Sequence, residues 1–151
     1  MHHPTLAEAQ EIARSGAGNL LPVYREVTAD LETPVSAFLK VQQGAHSFLL
    51  ESVEGGERLA RYSFIGTSPY RVVETGDGRE WQGDPLVPLE QELSRYRLVP
   101  VRGVPNLSGG AIGYVAYDAV RHFEPRVRRP DADPLGVPEA MWLFCDSMVV
   151  F

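Results

Sequence analysis

The sequence HSFLLESV at residues 46–53 predicts a β-strand. Phe48 and Leu50 fall on one of its two alternating faces, and Leu49 falls on the other. Because both faces are largely apolar, we expect this strand to lie in the centre of a sheet. Two glycines at positions 55–56 end the strand.

Strand patterns also occur on both sides of this segment. They cover residues 20–27, 61–66, 71–75, 79–82, 109–117 and 141–151. The pair 71–75 and 79–82 is expected to form a hairpin across the turn Gly76-Asp77-Gly78. The glycines of 109–117 would let another backbone approach closely.

Helix signals are fewer. Thr5-Leu6-Ala7-Glu8 matches a capping box, which predicts a short helix that ends before Gly16. Thr33-Pro34 repeats a helix start, and a third helix is expected near Pro88. These patterns predict an α+β fold, mostly antiparallel sheet with a few flanking helices, in one domain over residues 1–151.

Composition narrows the class of protein. The chain has 151 residues and a formal charge of -6, which opposes non-specific binding to nucleic acid. It contains no apolar run of the roughly 20 residues that a membrane helix needs, and its first residues do not match a secretory signal. We therefore expect a cytoplasmic protein with neither nucleic acid nor membrane as a partner. The single cysteine, Cys145, is expected in the core.

A self-contained active site is not predicted. The four histidines form no metal-ligand pattern, and Gly109-Gly110-Ala111-Ile112-Gly113 lacks the residues of a phosphate-binding loop. Glu51 and Ser52 are the more interesting pair, because a carboxylate and a hydroxyl end an apolar strand. A ligand ammonium could bind Glu51, but on chemistry alone an ion pair with Arg58 or Arg61 is favoured.

Three ordered motifs resemble a known family. They are Leu49-Leu50-Glu51-Ser52; Arg61-Tyr62-Ser63-Phe64-Ile65-Gly66 with Pro69; and Gly109-Gly110-Ala111-Ile112-Gly113-Tyr114 followed by Tyr117-Asp118 and Phe123-Glu124. Together they resemble the N-terminal region of anthranilate synthase component I. The resemblance covers most of the chain, although Ala116 stands where relatives often have glycine.

The resemblance implies a function for the longer protein. Members convert chorismate and glutamine-derived ammonia to anthranilate and pyruvate with Mg²⁺, and tryptophan inhibits them. The catalytic and Mg²⁺ residues would lie in a C-terminal chorismate-binding domain that is absent here, so no catalytic or metal residue is assigned. The fold would then be an incomplete part of a larger two-domain α/β-sandwich enzyme, with a glutamine amidotransferase subunit (component II) as partner.

The resemblance also implies an inhibitor site. Leu50, Glu51 and Ser52 match the segment that contributes to the tryptophan pocket, and Pro34 matches another position near it. Because residues 141–151 form an apolar run to the last residue, we expect the enzyme's own C-terminal domain to cover them. Two alternatives remain at this point. One is aminodeoxychorismate synthase component I, and the other is a non-enzymatic amino-acid-binding domain.

Overall fold

The computed structural model describes residues 1–51, 62–105, 109–128 and 133–151. Its elements combine helices with two small antiparallel sheets, so the predicted α+β class is confirmed. In chain order they are α1 (Leu6–Ser15), α2 (Pro34–Val41), β1 (Ser47–Leu50), β2 (Phe64–Thr67), β3 (Arg71–Thr75), α3 (Val87–Leu93), β4 (Ile112–Val115), a 3₁₀ helix (Tyr117–His122), β5 (Ala140–Phe144) and β6 (Met148–Val150).

The described residues fall into two compact units. Unit 1 takes its residues from Met1–Tyr70, Arg97–Gly109 and Cys145–Phe151, and unit 2 from Arg71–Tyr96 and Gly110–Phe144. Each unit contains one sheet: β1, β2 and β6 form the sheet of unit 1, and β3, β4 and β5 form that of unit 2. The apolar run 141–151 therefore divides into two strands that belong to different sheets.

The helices begin where their capping residues predict. Thr5 Oγ1 accepts the Glu8 N–H at 3.4 Å, and Glu8 Oε2 accepts the Thr5 N–H at 2.8 Å. These two bonds satisfy backbone donors that have no partner within the first turn of α1. Gly16 ends the helix with φ 68, a left-handed conformation that glycine adopts without steric cost.

The sheet of unit 1 corrects the predicted position of β1. Among the described residues the strand order is β1-β2-β6, so β1 lies at an edge of this sheet and β2 lies between the other two strands. The apolar pattern of β1 on both faces was therefore a misleading guide. One of its faces packs with α2, while Leu50 at its end stays 43% exposed.

Residues 20–27 do not form the predicted strand. The segment makes isolated bridges instead, in which Leu20 contacts Leu98 and Tyr24 contacts His3. Leu20 donates to the Arg97 carbonyl at 3.3 Å, and Val99 donates to the Leu20 carbonyl at 2.8 Å. Since Pro22 has no N–H to donate, the pairing cannot extend into a regular ladder here.

Residues 79–82 do not form the predicted hairpin with β3. β3 pairs along its whole length with β5, in a register that sets Arg71 opposite Phe144 and Thr75 opposite Ala140. Only Trp81 bridges back, to Thr75. The sequence predicted a neighbouring segment as the partner of β3, but the partner is β5, which lies far along the chain. The strand order in unit 2 is β3-β5-β4.

The core of unit 2 forms around β5. It consists of Val73, Ala140, Trp142 and Phe144, with Leu89 and Ala111 packed against it. Trp142 also donates its indole N–H to the Pro85 carbonyl at 3.0 Å. Cys145 follows β5 and is only partly buried, so the prediction of a core cysteine holds in part; burial and then the nearby Asp146 raise the pKa of its thiol.

No helix within the described residues is long and apolar enough to cross a membrane. Several large apolar side chains of unit 1 are nevertheless exposed. Leu31 is 98% exposed and Leu39 62%, and Val149 and Val150 in β6 are 39% and 38% exposed. Exposed apolar area of this kind is typical of surfaces that another part of a protein covers.

We expect the isolated 151-residue chain to self-associate or to bind a hydrophobic dye, because this apolar surface gains free energy by leaving water. Dye fluorescence per mole should be higher for the isolated chain than for the full-length protein at equal concentration. Light scattering during size-exclusion chromatography reports the association. A chain that stays monomeric at high concentration and binds no dye would contradict the prediction.

Candidate functional site

Three of the four predicted site residues are described, and all three belong to unit 1. Pro34 is the first residue of α2, Leu50 is the last residue of β1, and Glu51 follows directly. Ser52 lies outside the described residues. The site can therefore be built from one helix start and one strand end.

The start of α2 is fixed by side-chain hydrogen bonds around Pro34. Thr33 Oγ1 accepts the Ser36 N–H at 3.1 Å, and Ser36 Oγ accepts the Thr33 N–H at 2.9 Å. Ser36 also donates to Glu32 Oε2 at 2.6 Å, and Lys40 forms an ion pair with the same carboxylate. The bonds from Lys40 and then Ser36 lower the pKa of Glu32. Pro34 costs no hydrogen bond here, because the first helical N–H has no partner within the helix.

Hydrogen bonds just after α2 join its C-terminal end to the sheet of unit 1. Gln43 donates its N–H to Thr67 Oγ1 at 2.9 Å, and Ser47 Oγ donates to the Gln43 carbonyl at 3.2 Å. They hold the C-terminal end of α2 at the end of the sheet where β1 begins.

One face of this sheet carries a row of apolar side chains on the side of α2. Leu49, Ile65 and Val149 lie opposite one another across the three strands and form the inner row. Ser47 and Thr67 share that face by strand alternation, so the bonds to Gln43 place α2 over it. Ile65, in the middle of the inner row, is 1% exposed.

The second face carries another row of apolar side chains. Leu50, Phe64 and Val150 lie opposite one another and form the outer row. Leu50 is 43% exposed and Val150 is 38% exposed, while on the inner row Ile65 is 1% exposed and Val149 is 39% exposed. Leu50, which the sequence predicted as apolar lining, therefore has Phe64 as its cross-strand neighbour, and Phe64 in turn pairs with Val150. The sequence reasoning missed both residues. Their pairing joins segments far apart in the chain, so no local pattern could reveal it.

Close packing supports the outer face next to this row. A Cβ added to Gly66 would lie 2.2 Å from Cε1 of Phe48, which shows that the Phe48 ring rests directly on the glycine backbone. Gly66 and Phe48 are paired residues of β2 and β1. Tyr62 lies two residues before Phe64, and the centroids of their rings are 6.2 Å apart. The outer row thus continues into an aromatic surface.

Glu51 is exposed at the end of β1. Across the four described ranges of the chain, no hydrogen bond or ion pair involves its carboxylate. The proposed structural partners, Arg58 and Arg61, lie outside the described residues, so that alternative stays a prediction. What the structure adds is position: an exposed carboxylate follows the first residue of the outer row.

Unit 2 contains a carboxylate cluster that the sequence did not single out. Glu139 accepts from Arg121 and also bonds to His122 Nε2 at 2.8 Å, and its side chain is 12% exposed. Elsewhere in the unit the buried Glu92 bonds to Arg71 and Arg95. Both carboxylates are paired within the protein, which is the usual state of buried acidic groups. We interpret both clusters as structural.

Comparison with known proteins identifies the relatives of this chain. No family model matches it. It is 47% identical over 150 residues, 99% of the chain, to a Schizosaccharomyces pombe protein named "Probable anthranilate synthase component 1". Proteins named anthranilate synthase component 1 from Acetivibrio thermocellus and Saccharomyces cerevisiae are 38% and 42% identical over 100% and 97% of the chain.

The chain spans about a third of these relatives, covering 30%, 32% and 30% of their respective lengths. Among solved structures it is similar to anthranilate synthase component I from Streptococcus pneumoniae, with a TM-score of 0.46 and 26% identity over 85% of this chain and 28% of that one. The chain is homologous to the N-terminal region of anthranilate synthase component 1, and the resemblance seen in its three motifs is confirmed.

Proposed function

We propose that this chain is the N-terminal regulatory part of an anthranilate synthase, which converts chorismate and ammonia from glutamine to anthranilate and pyruvate in the first step of tryptophan biosynthesis. The observation that carries the proposal is sequence identity along almost the whole chain, 47% over 150 residues with the fission-yeast relative. The relatives described above share one name, which favours this function over aminodeoxychorismate synthase and over a non-enzymatic binding domain.

The part that this chain plays is tryptophan feedback inhibition. The site consists of Leu50, Glu51 and Ser52 at the end of β1, with Pro34 at the start of α2. An exposed carboxylate beside an apolar row supports this, because free tryptophan combines an ammonium group with an indole ring. The ammonium is attracted to Glu51, and the indole gains free energy by leaving water against apolar side chains.

Inhibition requires that tryptophan bind one arrangement of the enzyme more tightly than another. A hundredfold preference for the inactive arrangement supplies about 2.7 kcal/mol, which is within the usual range of allosteric coupling. The residues of the relatives that this chain does not span would complete the pocket and contain the reaction centre. Glu51 and its neighbours therefore act on the equilibrium between arrangements and take no part in the chemical step.

Magnesium belongs to the same proposal but not to these residues. Within residues 1–51, 62–105, 109–128 and 133–151, no group of three or more His, Cys, Asp or Glu side chains could hold a metal ion. Mg²⁺ prefers several oxygen ligands in octahedral geometry, so the described residues do not fit it. We place it in the C-terminal domain, and we further propose a glutamine amidotransferase subunit as partner and the cytoplasm as location.

The full-length protein should release anthranilate from chorismate, ammonia and Mg²⁺, and tryptophan should suppress the reaction. Chromatography with an authentic standard distinguishes anthranilate from aminodeoxychorismate. Formation of aminodeoxychorismate would instead identify the protein as aminodeoxychorismate synthase component I, the relative from the folate pathway. A protein that binds tryptophan but turns over no chorismate would support the non-enzymatic binding domain.

The isolated 151-residue chain should form no anthranilate, even with Mg²⁺, ammonia and the glutamine amidotransferase subunit. The reason is that no constellation of acid, base and metal ligands was found in its sequence. Anthranilate fluorescence provides the measurement, with the full-length protein as positive control. Fluorescence above that of a reaction without protein would refute the regulatory interpretation.

A further inference from the structure

We propose that one end of the sheet of unit 2 is the surface on which the glutamine amidotransferase subunit docks. This inference rests on the partner proposed above and adds the place where it binds. The surface, called the strand-end surface below, consists of six exposed side chains: Tyr117, Phe123, Arg126, Arg128, Leu135 and Val137. Its two aromatic residues belong to the third sequence motif, which the tryptophan site does not use.

Two segments of the chain reach this end of the sheet. β3 ends at Thr75 and β4 ends at Val115, and both of these residues are paired with Ala140, the first residue of β5. Residues 117–128 follow closely after β4, and residues 133–139 lead into β5. The register therefore brings both segments to the same end of the sheet.

The first segment is fixed to the start of β5 through its 3₁₀ helix. Ala119 is 0% exposed, and the Ala116 N–H donates to the Glu139 carbonyl at 2.7 Å. Arg121 and His122 bond to the Glu139 carboxylate, His122 through Nε2 at 2.8 Å. The helix is thus held in place, while the aromatic side chains at its start and just after its end stay exposed.

The second segment is fixed by hydrogen bonds of its own. Asp133 Oδ1 accepts the N–H groups of Leu135 and Gly136 at 3.2 and 2.9 Å. Arg79 donates to the Gly136 carbonyl at 2.9 Å. Side chains that are presented on a fixed backbone lose less conformational entropy when a partner binds, which favours association.

The strand-end surface exposes much of its apolar and aromatic area. Tyr117 is 86% exposed, Leu135 is 79% exposed, and Phe123 and Val137 are each 52% exposed. This area gains free energy when a partner removes it from water, and aromatic anchors are typical of the centres of protein interfaces.

Charge identifies the chemistry of the partner. Within the described part of the chain, the guanidinium groups of Arg126 and Arg128 make no hydrogen bond or ion pair. Of the nearby carboxylates, Glu124 already accepts the Arg126 N–H at 3.2 Å and Asp133 accepts backbone N–H groups, which leaves Asp118 against two free arginines. A matching surface therefore offers carboxylates around an apolar centre.

The mixture of arginines with aromatic side chains favours a separate subunit over a contact that is permanently covered. Permanent interfaces resemble the core of a domain and are depleted in charge, as is the core around Val73, Trp142 and Phe144 in this unit. Arginine, by contrast, is enriched at interfaces between chains and stays hydrated when the partner is absent.

The first test compares two exposed leucines. Leu135 in the strand-end surface is 79% exposed, and Leu6 in α1 of unit 1 is 76% exposed. The full-length protein is titrated with the purified glutamine amidotransferase subunit in a calorimeter. We expect the Kd of the complex to rise about tenfold in Leu135→Ser and less than about twofold in Leu6→Ser, because the loss of an apolar anchor weakens an interface only where a partner covers it.

The second test reverses one charge. Arg128→Glu would set a carboxylate against the carboxylates of the subunit, so the Kd should rise about tenfold or more, and added salt should reduce the effect. Arg25→Glu, at an exposed arginine of unit 1, makes the same change in net charge and is the matched control. Its Kd should stay within about twofold of wild type.

Activity distinguishes docking from folding. Anthranilate formation from added ammonia does not need the subunit, whereas formation from glutamine does. We expect Leu135→Ser and Arg128→Glu to lower the glutamine-dependent rate at limiting subunit and to leave the ammonia-dependent rate near that of wild type. If both variants instead lower the melting temperature and the ammonia-dependent rate at an unchanged Kd, the enzyme's own C-terminal domain covers the surface. If they change the oligomeric state at an unchanged Kd, a second copy covers it. Either result overturns the inference.

Failure of the proposed function is distinguishable from failure of this inference. A wild-type protein that forms no anthranilate from ammonia overturns the proposed function. An active wild-type enzyme that does not bind the subunit, or a wild-type Kd in both Leu135→Ser and Arg128→Glu, overturns the docking surface alone.

Discussion

Replacing Gly113 by alanine should destabilise the protein severely, by about 3 kcal/mol or more. A Cβ at this position would lie 1.7 Å from the Met141 carbonyl oxygen and 3.0 Å from a ring carbon of Trp142. Gly113 is paired with Trp142 in the middle of the β4–β5 ladder, so the backbone must move to make room. That movement would break the strand pairing beside the core of unit 2. Thermal denaturation of the full-length protein and its soluble yield provide the measurements.

Gly109→Ala is the control. Within the described part of the chain, the added Cβ would meet the ends of two flexible side chains, Leu20 Cδ2 at 3.3 Å and Leu98 Cδ1 at 4.0 Å. Because those side chains can move, we expect the melting temperature to fall by far less than in Gly113→Ala. Similar melting temperatures for Gly113→Ala and wild type would show that β4 does not approach β5 as closely as described.

Local features were well predicted from the sequence. The capping boxes at Thr5 and Thr33 set the starts of two helices, and Gly16 set the end of one. Each of these signals depends on side chains within four residues of the helix terminus. The close approach at Gly113 was also predicted, because a glycine inside a strand often marks a place where another backbone comes near.

Strand partners were poorly predicted, because pairing is decided by distant residues. The Gly76-Asp77-Gly78 turn suggested a hairpin for β3, but β3 pairs with β5. β5 carries Trp142 and Phe144, which are buried in the core, whereas residues 79–82 offer few apolar side chains. The free energy gained by burying those large side chains exceeds the advantage of the smaller entropy cost of closing a short connection.

In the candidate site, too, local features were predicted from the sequence and strand partners were not. Leu50 and Glu51 could be chosen from the motif, yet the motif says nothing of what lies beside them. Phe64 and Val150 are added only by the register of β2 and β6. The predicted central position of β1 was wrong for a related reason: an edge strand can have two apolar faces when one is covered by a helix and the other is half exposed.

Ser52→Phe should make the full-length enzyme resistant to tryptophan. Ser52 lies two positions after Leu50 and next to Glu51 in the motif shared with the family. An aromatic ring at this position would occupy space that the inhibitor needs, because a packed site tolerates little added volume. Loss of about 2 kcal/mol of binding free energy corresponds to an inhibitory concentration roughly thirtyfold higher.

The measurement is anthranilate formation against tryptophan concentration, normalised to the activity of each protein without tryptophan. Ser52→Ala is the matched control: it adds no volume, so its inhibition curve should lie much closer to that of wild type. A purely structural role for Ser52 predicts another pattern, in which Ser52→Phe lowers the melting temperature and the activity together and leaves the inhibitory concentration unchanged. An unfolded fraction contributes nothing to the rate, so the inhibition curve reflects only the folded enzyme. If that curve is not shifted in Ser52→Phe, Ser52 does not belong to the inhibitor site.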